Sequence, residues 1–236
     1  MIRVRIIGPG RAGGSLHQAL ARAHWPVEPP LGRDDDLSRA SEGVDLVVIA
    51  TPDHAVAEVA AALAPTDAVV VAHLSGALGL TPLAGHPAVA VLHPLVALPD
   101  PSRGAERLVG AWFGLSTDGD PIVEAIVEEL HGRIVRVAED DWARYHAAAV
   151  VASNHLVALL GQVERIAGTI DAPLEAYLDL ARGALADVAD LGPAGALTGP
   201  VRRGDLATVQ RHLEALPVSE RLAYQVLAEE AARLCP

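Results

Sequence analysis

Glycines 8, 10 and 13 of this 236-residue chain stand in G-x-G-x-x-G spacing within Ile6-Ile7-Gly8-Pro9-Gly10-Arg11-Ala12-Gly13-Gly14. Each missing side chain has its own use: Gly8 permits a tight turn, Gly10 clears the path of a pyrophosphate, and Gly13 lets a helix pack close to a strand. The helix that follows would aim its free N–H groups at the anion. Both flanks needed for this are present. Arg3 to Ile7 alternates as a short apolar strand, and Leu16, Ala19, Leu20 and Ala23 share one face of a helix over Ser15 to Ala23. A ligand-free glycine turn would show the same spacing, but the context predicts a dinucleotide cradled by Gly8, Pro9, Gly10, Arg11, Ala12 and Gly13.

In such a unit, an acid at the end of the second strand accepts a ribose hydroxyl, whereas an arginine there accommodates a 2′-phosphate. Gly32-Arg33 occupies that place, twenty residues after Gly13, and favours NADP(H) over NAD(H). Asp34, Asp35 and Asp36 follow at once, so a shift of register would turn one of them into the ribose acid instead.

Ligands of open parallel sheets bind outside the carboxyl ends of the strands. Thr51-Pro52-Asp53 and Ser75-Gly76 fall at such ends and are candidate cofactor contacts. Ser75 and His93 could also face a substrate. Each of these, taken singly, could equally be a loop group satisfied by local backbone.

A further constellation lies on the segment 145–163, nineteen residues whose only titratable side chains besides Tyr145 are histidines. At about 100° per residue, Ser153 falls within about 20° of His146 around a helix and Asn154 about 80° away. His146, Ser153 and Asn154 therefore form a polar stripe on an apolar helix, and buried polar groups need a partner or a ligand. Asn154 is the only asparagine in the chain. A pairing of these groups within a helix interface is the alternative. Towards the C-terminus, Arg202 and Arg203 could bind a carboxylate, while Asp205 could simply cap a helix.

These residues need elements to hold them. Apolar runs at 44–50, 68–72, 88–92, 111–116 and 134–137 read as strands, with helices at 53–63 and 121–130 between them. The segment 24–31, with three prolines, reads as a short or irregular second strand ending near Leu31. From about Glu139 only helical patterns continue, at 145–163, 174–191, 205–215 and 219–234, with a polar loop over 196–205. The fold class expected is α/β, a doubly wound, mostly parallel Rossmann sheet over residues 1–138 followed by an all-α domain over 139–236.

Composition narrows the function. The net charge of −12 disfavours nucleic acid and anionic membranes, and seven aromatic residues leave little for base stacking. The segment 145–163 is long enough to raise a membrane span, but its polar residues and the flanking Arg144 and Glu164 favour burial in a core or subunit interface. No histidine or cysteine pair has zinc-ligand spacing, so no metal is expected. The single cysteine, Cys235, fits a cytoplasmic setting, and no signal-peptide pattern opens the chain. All eighteen basic residues are arginine. Without lysine there is no Schiff-base nucleophile and no lysine general acid.

Gly-Pro-Gly-Arg-Ala-Gly, Thr-Pro-Asp, His-Leu-Ser-Gly-Ala, Leu-His-Pro-Leu, Tyr-His-Ala-Ala-Ala-Val-Val-Ala-Ser-Asn and Ala-Leu-Thr-Gly-Pro-Val-Arg-Arg-Gly-Asp occur in that order. Together they resemble a Rossmann-like oxidoreductase family with a C-terminal helical domain of unknown function, grouped with 6-phosphogluconate dehydrogenase, pyrroline-5-carboxylate reductase and ketopantoate reductase. The resemblance implies a nicotinamide nucleotide at Gly8 to Gly13, a homodimer through the helical domain, an active site between domains and a small 2-keto acid such as ketopantoate as substrate. It also implies a catalytic lysine one turn before an asparagine. With Asn154 in the asparagine position, Val150 stands where the lysine would be. His146 is then the leading general acid, since imidazole titrates near neutrality. The expectation is an NADP(H)-dependent reductase of a small carbonyl or imine, in which Ser153 and Asn154 orient that group. The alternative is an NADP(H)-binding regulatory or scaffold protein without turnover.

Overall fold

A computed structural model describes residues 2–116 and 121–235. The first half builds a six-stranded sheet from β1 (Val4–Ile7), β2 (Leu46–Ile49), β3 (Val70–His73), β4 (Val89–Pro94), β5 (Trp112–Ser116) and β6 (Arg133–Val137), in that spatial order. Every neighbouring pair is parallel except β4 with β5. The expected second strand is a ragged one. Residues 27 and 31 make isolated parallel bridges to Val4 and Ile7, on the side of β1 away from β2. Pro26, Pro29 and Pro30 lack the N–H groups a full ladder would use.

Strand alternation sorts the core. Leu46 and Val48 join Val4, Ile6, Val70 and Ala72 in one apolar layer, whereas Val47 and Ile49 join Ile7 and Val71 in the opposite one. The first layer is covered by α1 (Arg11–Arg22), α3 (Pro101–Leu108) and α4 (Pro121–Glu129), through Leu16, Leu20, Leu108 and Ile126. The second is covered by α2 (Val56–Ala62), through Val56 and Ala60. Strands buried on both faces read as near-continuous apolar runs, as these do.

Two compact units divide the chain, residues 1–151 and 152–236. The last strand ends at Val137, yet α5 (Trp142–Val150) belongs to the first unit. Trp142 fixes it there, since this residue is 3% exposed and packs with Val91 and Val137 in a small third cluster. The second unit holds α6 (Leu156–Gly168), α7 (Leu174–Ala196), α8 (Gly199–Arg202), α9 (Leu206–Ala215) and α10 (Val218–Ala232). Within it Gln162 of α6 donates to the Glu220 carbonyl of α10, and Arg165 forms a two-pronged ion pair with the Glu220 carboxylate.

Three local readings need correction. The segment 145–163 is not one regular helix, because Val151–His155 winds as a π-helix. The 100° period does not hold over those residues, so the small angle computed between His146 and Ser153 loses its basis. Of the two settings expected for it, the chain's own core does not cover its apolar residues Val151, 57% exposed, and Val157, 70%. Among the described residues one helical stretch, Glu139–Gly168, is long and apolar enough to cross a membrane by length and composition, and 6% of its most apolar window is buried. Finally, the polar loop over 196–205 contains the short helix α8, and α7 runs to Ala196 across a break at Gly192, where φ is 72°.

Candidate active site

Because the chain leaves β1 for 27–31 on one side and crosses to β2 on the other, a crevice opens beyond the end of β1. It is a cavity of about 560 Å³ walled by the glycine turn, Gly32, Arg33, Thr51, Pro52, Ala55 just before α2, and the face of α2 carrying Glu58 and Ala62. Gly8 has φ 101°, and a Cβ there would lie 2.8 Å from the Ala50 carbonyl carbon. A Cβ on Gly13 would lie 2.1 Å from the Gly8 oxygen, whereas Gly10 meets nothing within 4 Å. These are the turn, the close packing and the clear path that the spacing predicts. Helix α1 starts without a side-chain cap and without an acid in its first turn. Its first N–H groups are therefore left for an anion.

Arg33 is exposed at this wall. The three aspartates after it do not line the cavity. Asp35 turns back to accept the Gly32 N–H at 2.6 Å, and Asp36 accepts the Ser38 N–H at 2.9 Å, which holds the Asp36 carboxyl below its ordinary range. Thr51 Oγ1 is a buried hydroxyl with no protein partner at the cavity wall. An open glycine cradle, uncapped helix N–H groups and a free guanidinium fit a phosphorylated dinucleotide. Asp53 and Arg11 are neighbours of the wall rather than part of it, and His54, Glu58 and Leu37 line it without having been anticipated. Ala55, Glu58 and Ala62 were readable only as one side of a helix, at spacings of three and four.

A second cluster forms where β3, β4 and α5 meet. His93 shares the face of β4 with Val91, two residues earlier, and so points at α5. Its Nδ1 is 2.8 Å from the Tyr145 hydroxyl. Its ring centroid lies 6.0 Å from that of His146, edge to face. Gly76, in the loop after β3, separates the two imidazoles: a Cβ there would lie 2.5 Å from His93 Nε2 and 2.9 Å from His146 Cδ2. Two histidines read independently from the sequence, fifty-three residues apart, thus meet against one glycine. No hydrogen bond reaches His93 Nε2 among the described residues.

Burial, with the neighbouring His146 and His73 adding like charge, pushes His93 down to about 4, against a smaller opposing pull from Asp53. Burial pushes the Tyr145 hydroxyl up to about 12, opposed by the Gly114 N–H. Gly114 makes room for that hydroxyl, because a Cβ there would lie 2.4 Å from it. Tyr145 was not singled out in the sequence. Its partner is a glycine on a strand thirty-one residues away, and no local pattern shows that.

His73 is fully buried and held neutral mainly by burial. Its Nδ1 accepts the Ser75 N–H at 3.2 Å, so its Nε2 donates to the Gly79 carbonyl at 2.9 Å. The next N–H, of Leu80, donates to Glu139. Ser75 Oγ accepts the N–H groups of Ala77 and Leu78 and so shapes the loop that presents Gly76.

In the second unit Ser153 Oγ donates to Asn154 Oδ1 at 2.9 Å, on the π-helical stretch. Arg202 and Arg203 are exposed, at and just beyond the end of α8. Asp205 caps α9, accepting both the N–H and the hydroxyl of Thr208. The capping role considered for it is the one it performs.

The profile of a domain of unknown function, DUF2520, matches residues 113–231, about half of the chain. The chain belongs to the DUF2520 family. Its fold is similar to that of a Bacteroides fragilis protein provisionally described as an NADP oxidoreductase, at 21% identity, with a TM-score of 0.79 and 98% of both chains covered. It is also similar to a Thermotoga maritima protein, at 23% identity and a TM-score of 0.76 over 98% of both chains. A reductive aminase from Aspergillus terreus, solved with NADPH, cyclohexanone and allyl amine, aligns at 15% identity and a TM-score of 0.70 over 99% of this chain and 94% of its own. A comparison with curated protein sequences finds no match. The DUF2520 match starts within β5 and includes Gly114, Tyr145 and His146, whereas the glycine turn and His93 lie before it.

Proposed function

We propose that this DUF2520 protein is an NADP(H)-dependent reductase of a small carbonyl or imine. One observation carries the reading: His93 and His146, from different elements, converge at 6.0 Å against Gly76, at the carboxyl edge of a sheet whose switch point offers a dinucleotide cradle. Gly8, Gly10 and the start of α1 would hold the pyrophosphate, with Arg33 on the 2′-phosphate. The bound nicotinamide would supply hydride. His146 then delivers the proton that completes the product, the task a lysine would otherwise have. The reductive aminase of similar fold, solved with NADPH and a ketone, favours carbonyl and imine chemistry in the same way.

The test is NADPH oxidation against a panel of 2-keto acids, ketopantoate among them, and cyclic imines. Saturable turnover that falls at least a hundredfold in His146→Ala, with NADPH affinity unchanged, supports the reading. Full turnover in the variant refutes the role of His146, and tight NADPH binding with no turnover of any substrate favours the regulatory alternative. We also propose that a second copy covers the exposed apolar residues of the helical unit, among them Val157, Leu180 and Leu222 at 70%, 72% and 73% exposure. Light scattering would then give twice the chain mass of 24.5 kDa.

A further inference from the structure

We propose that Tyr145 is a positioning residue that holds His93 as its Nε2–H tautomer, so that His93 acts as a neutral hydrogen-bond donor to the substrate's carbonyl oxygen or imine nitrogen. The inference rests on the reductase reading and adds to it a division of labour between the two histidines.

The geometry supplies the argument. Tyr145 Oη sits 2.8 Å from His93 Nδ1, and among the described residues this is the one hydrogen bond its hydroxyl makes. A hydroxyl that accepted from Nδ1 would leave its own proton without an acceptor, so that proton is directed at Nδ1. An imidazole whose Nδ1 accepts carries its single proton on Nε2. Nε2 is the atom that lies beside Gly76, and among the described residues no group takes its proton. The opposite tautomer would leave a lone pair facing the substrate, where it repels the oxygen or nitrogen that gains negative charge during reduction. In the Nε2–H form the site instead presents a fixed donor that needs no reorientation as the charge develops.

The groups around His93 keep it neutral. Tyr145 and His146 reach it from α5, Gly76 lies against it from the loop after β3, and Asp53 and His73 act from the ends of β2 and β3. His93 and His146 are close enough that protonating one opposes protonating the other. His93, the partner tied to a hydroxyl and buried, stays uncharged. No proton leaves Nε2 in this scheme: it donates a hydrogen bond throughout, and the proton that ends on the product comes from His146.

The test is long-range ¹⁵N correlation of the histidine rings in the full-length protein at pH 7, with His93 assigned through His93→Gln. A pyrrole-type Nε2 and a hydrogen-bonded, pyridine-type Nδ1 are expected for His93, and a protonated Nδ1 overturns the proposal. Tyr145→Phe should shift His93 towards a mixture of tautomers and lower kcat by about tenfold, the loss expected of one hydrogen bond, with KM for NADPH unchanged. A variant that keeps the wild-type ring signals also overturns it. These spectra do not depend on turnover, so failure of the reductase reading and failure of the tautomer assignment are separate results.

Discussion

Neutral His93 makes the stability of the first unit depend on pH in a way that can be isolated. Its folded pKa is lowered from 6.5 to about 4, so as pH falls below 6.5 the unfolded chain binds a proton that the folded chain refuses. Stability from this residue is fully present above pH 6.5 and declines continuously as pH drops to about 4, below which both states are protonated and nothing more is lost. The shift corresponds to about 3 kcal/mol. His93→Gln, which cannot titrate, removes that slope while leaving the contributions of His73 and the carboxylates common to both proteins. All three tryptophans, at 25, 112 and 142, lie in the first unit, so their fluorescence in urea follows that unit alone. Between pH 6.5 and 4 the wild type should lose about 3 kcal/mol more than the variant. Parallel curves would refute the reasoning. Should the variant fold poorly, a direct NMR titration of His93 in the wild type with a midpoint near 6.5 would refute it as well.

Two other perturbations test the cradle. Gly8→Ala places a side chain at φ 101° and 2.8 Å from the Ala50 backbone, which costs about 1–3 kcal/mol in backbone strain before any displacement, and equilibrium unfolding with NADPH titration should show lost stability and lost binding together. Arg33→Ser removes the guanidinium from the cavity wall without touching the turn held by Asp35, so NADPH affinity should fall by about 1–2 kcal/mol while NADH affinity stays level in calorimetry.

The glycine turn and the strands were legible because residue type and spacing alone mark them. Gly8 and Gly13 are fixed by contacts with chain that follows or pairs directly, and Leu46 to Ile49 needs both faces apolar whatever surrounds the sheet. What escaped either left too short or too irregular a pattern or depended on partners elsewhere in the chain. Helix α3 was not anticipated: Asp100 caps it through the Arg103 N–H and Pro101 opens it, but only Gly104, Ala105 and Leu108 are buried, too few to give a visible period. The π-helical Val151–His155 defeated a rotation computed on a uniform α-helix. Tyr145 gains its meaning from Gly114 and His93 across the sheet, and His54 from a crevice that exists only once the chain crosses from one side of β1 to the other.

The lack of lysine looks at first like an argument against catalysis, since a reductase must supply a proton as well as bind its cofactor. The histidine pair answers it through electrostatics. Two imidazoles 6.0 Å apart resist holding two positive charges, and their surroundings differ: one lies on a strand and is hydrogen-bonded to a tyrosine, the other lies on helix α5. A charge on His146 therefore opposes protonation of His93. A lysine combines charge stabilisation and proton donation in one ammonium. In the proposed reductase the two tasks would fall to different rings, His93 as the fixed donor and His146 as the acid, brought together because Gly76 has no side chain to force them apart.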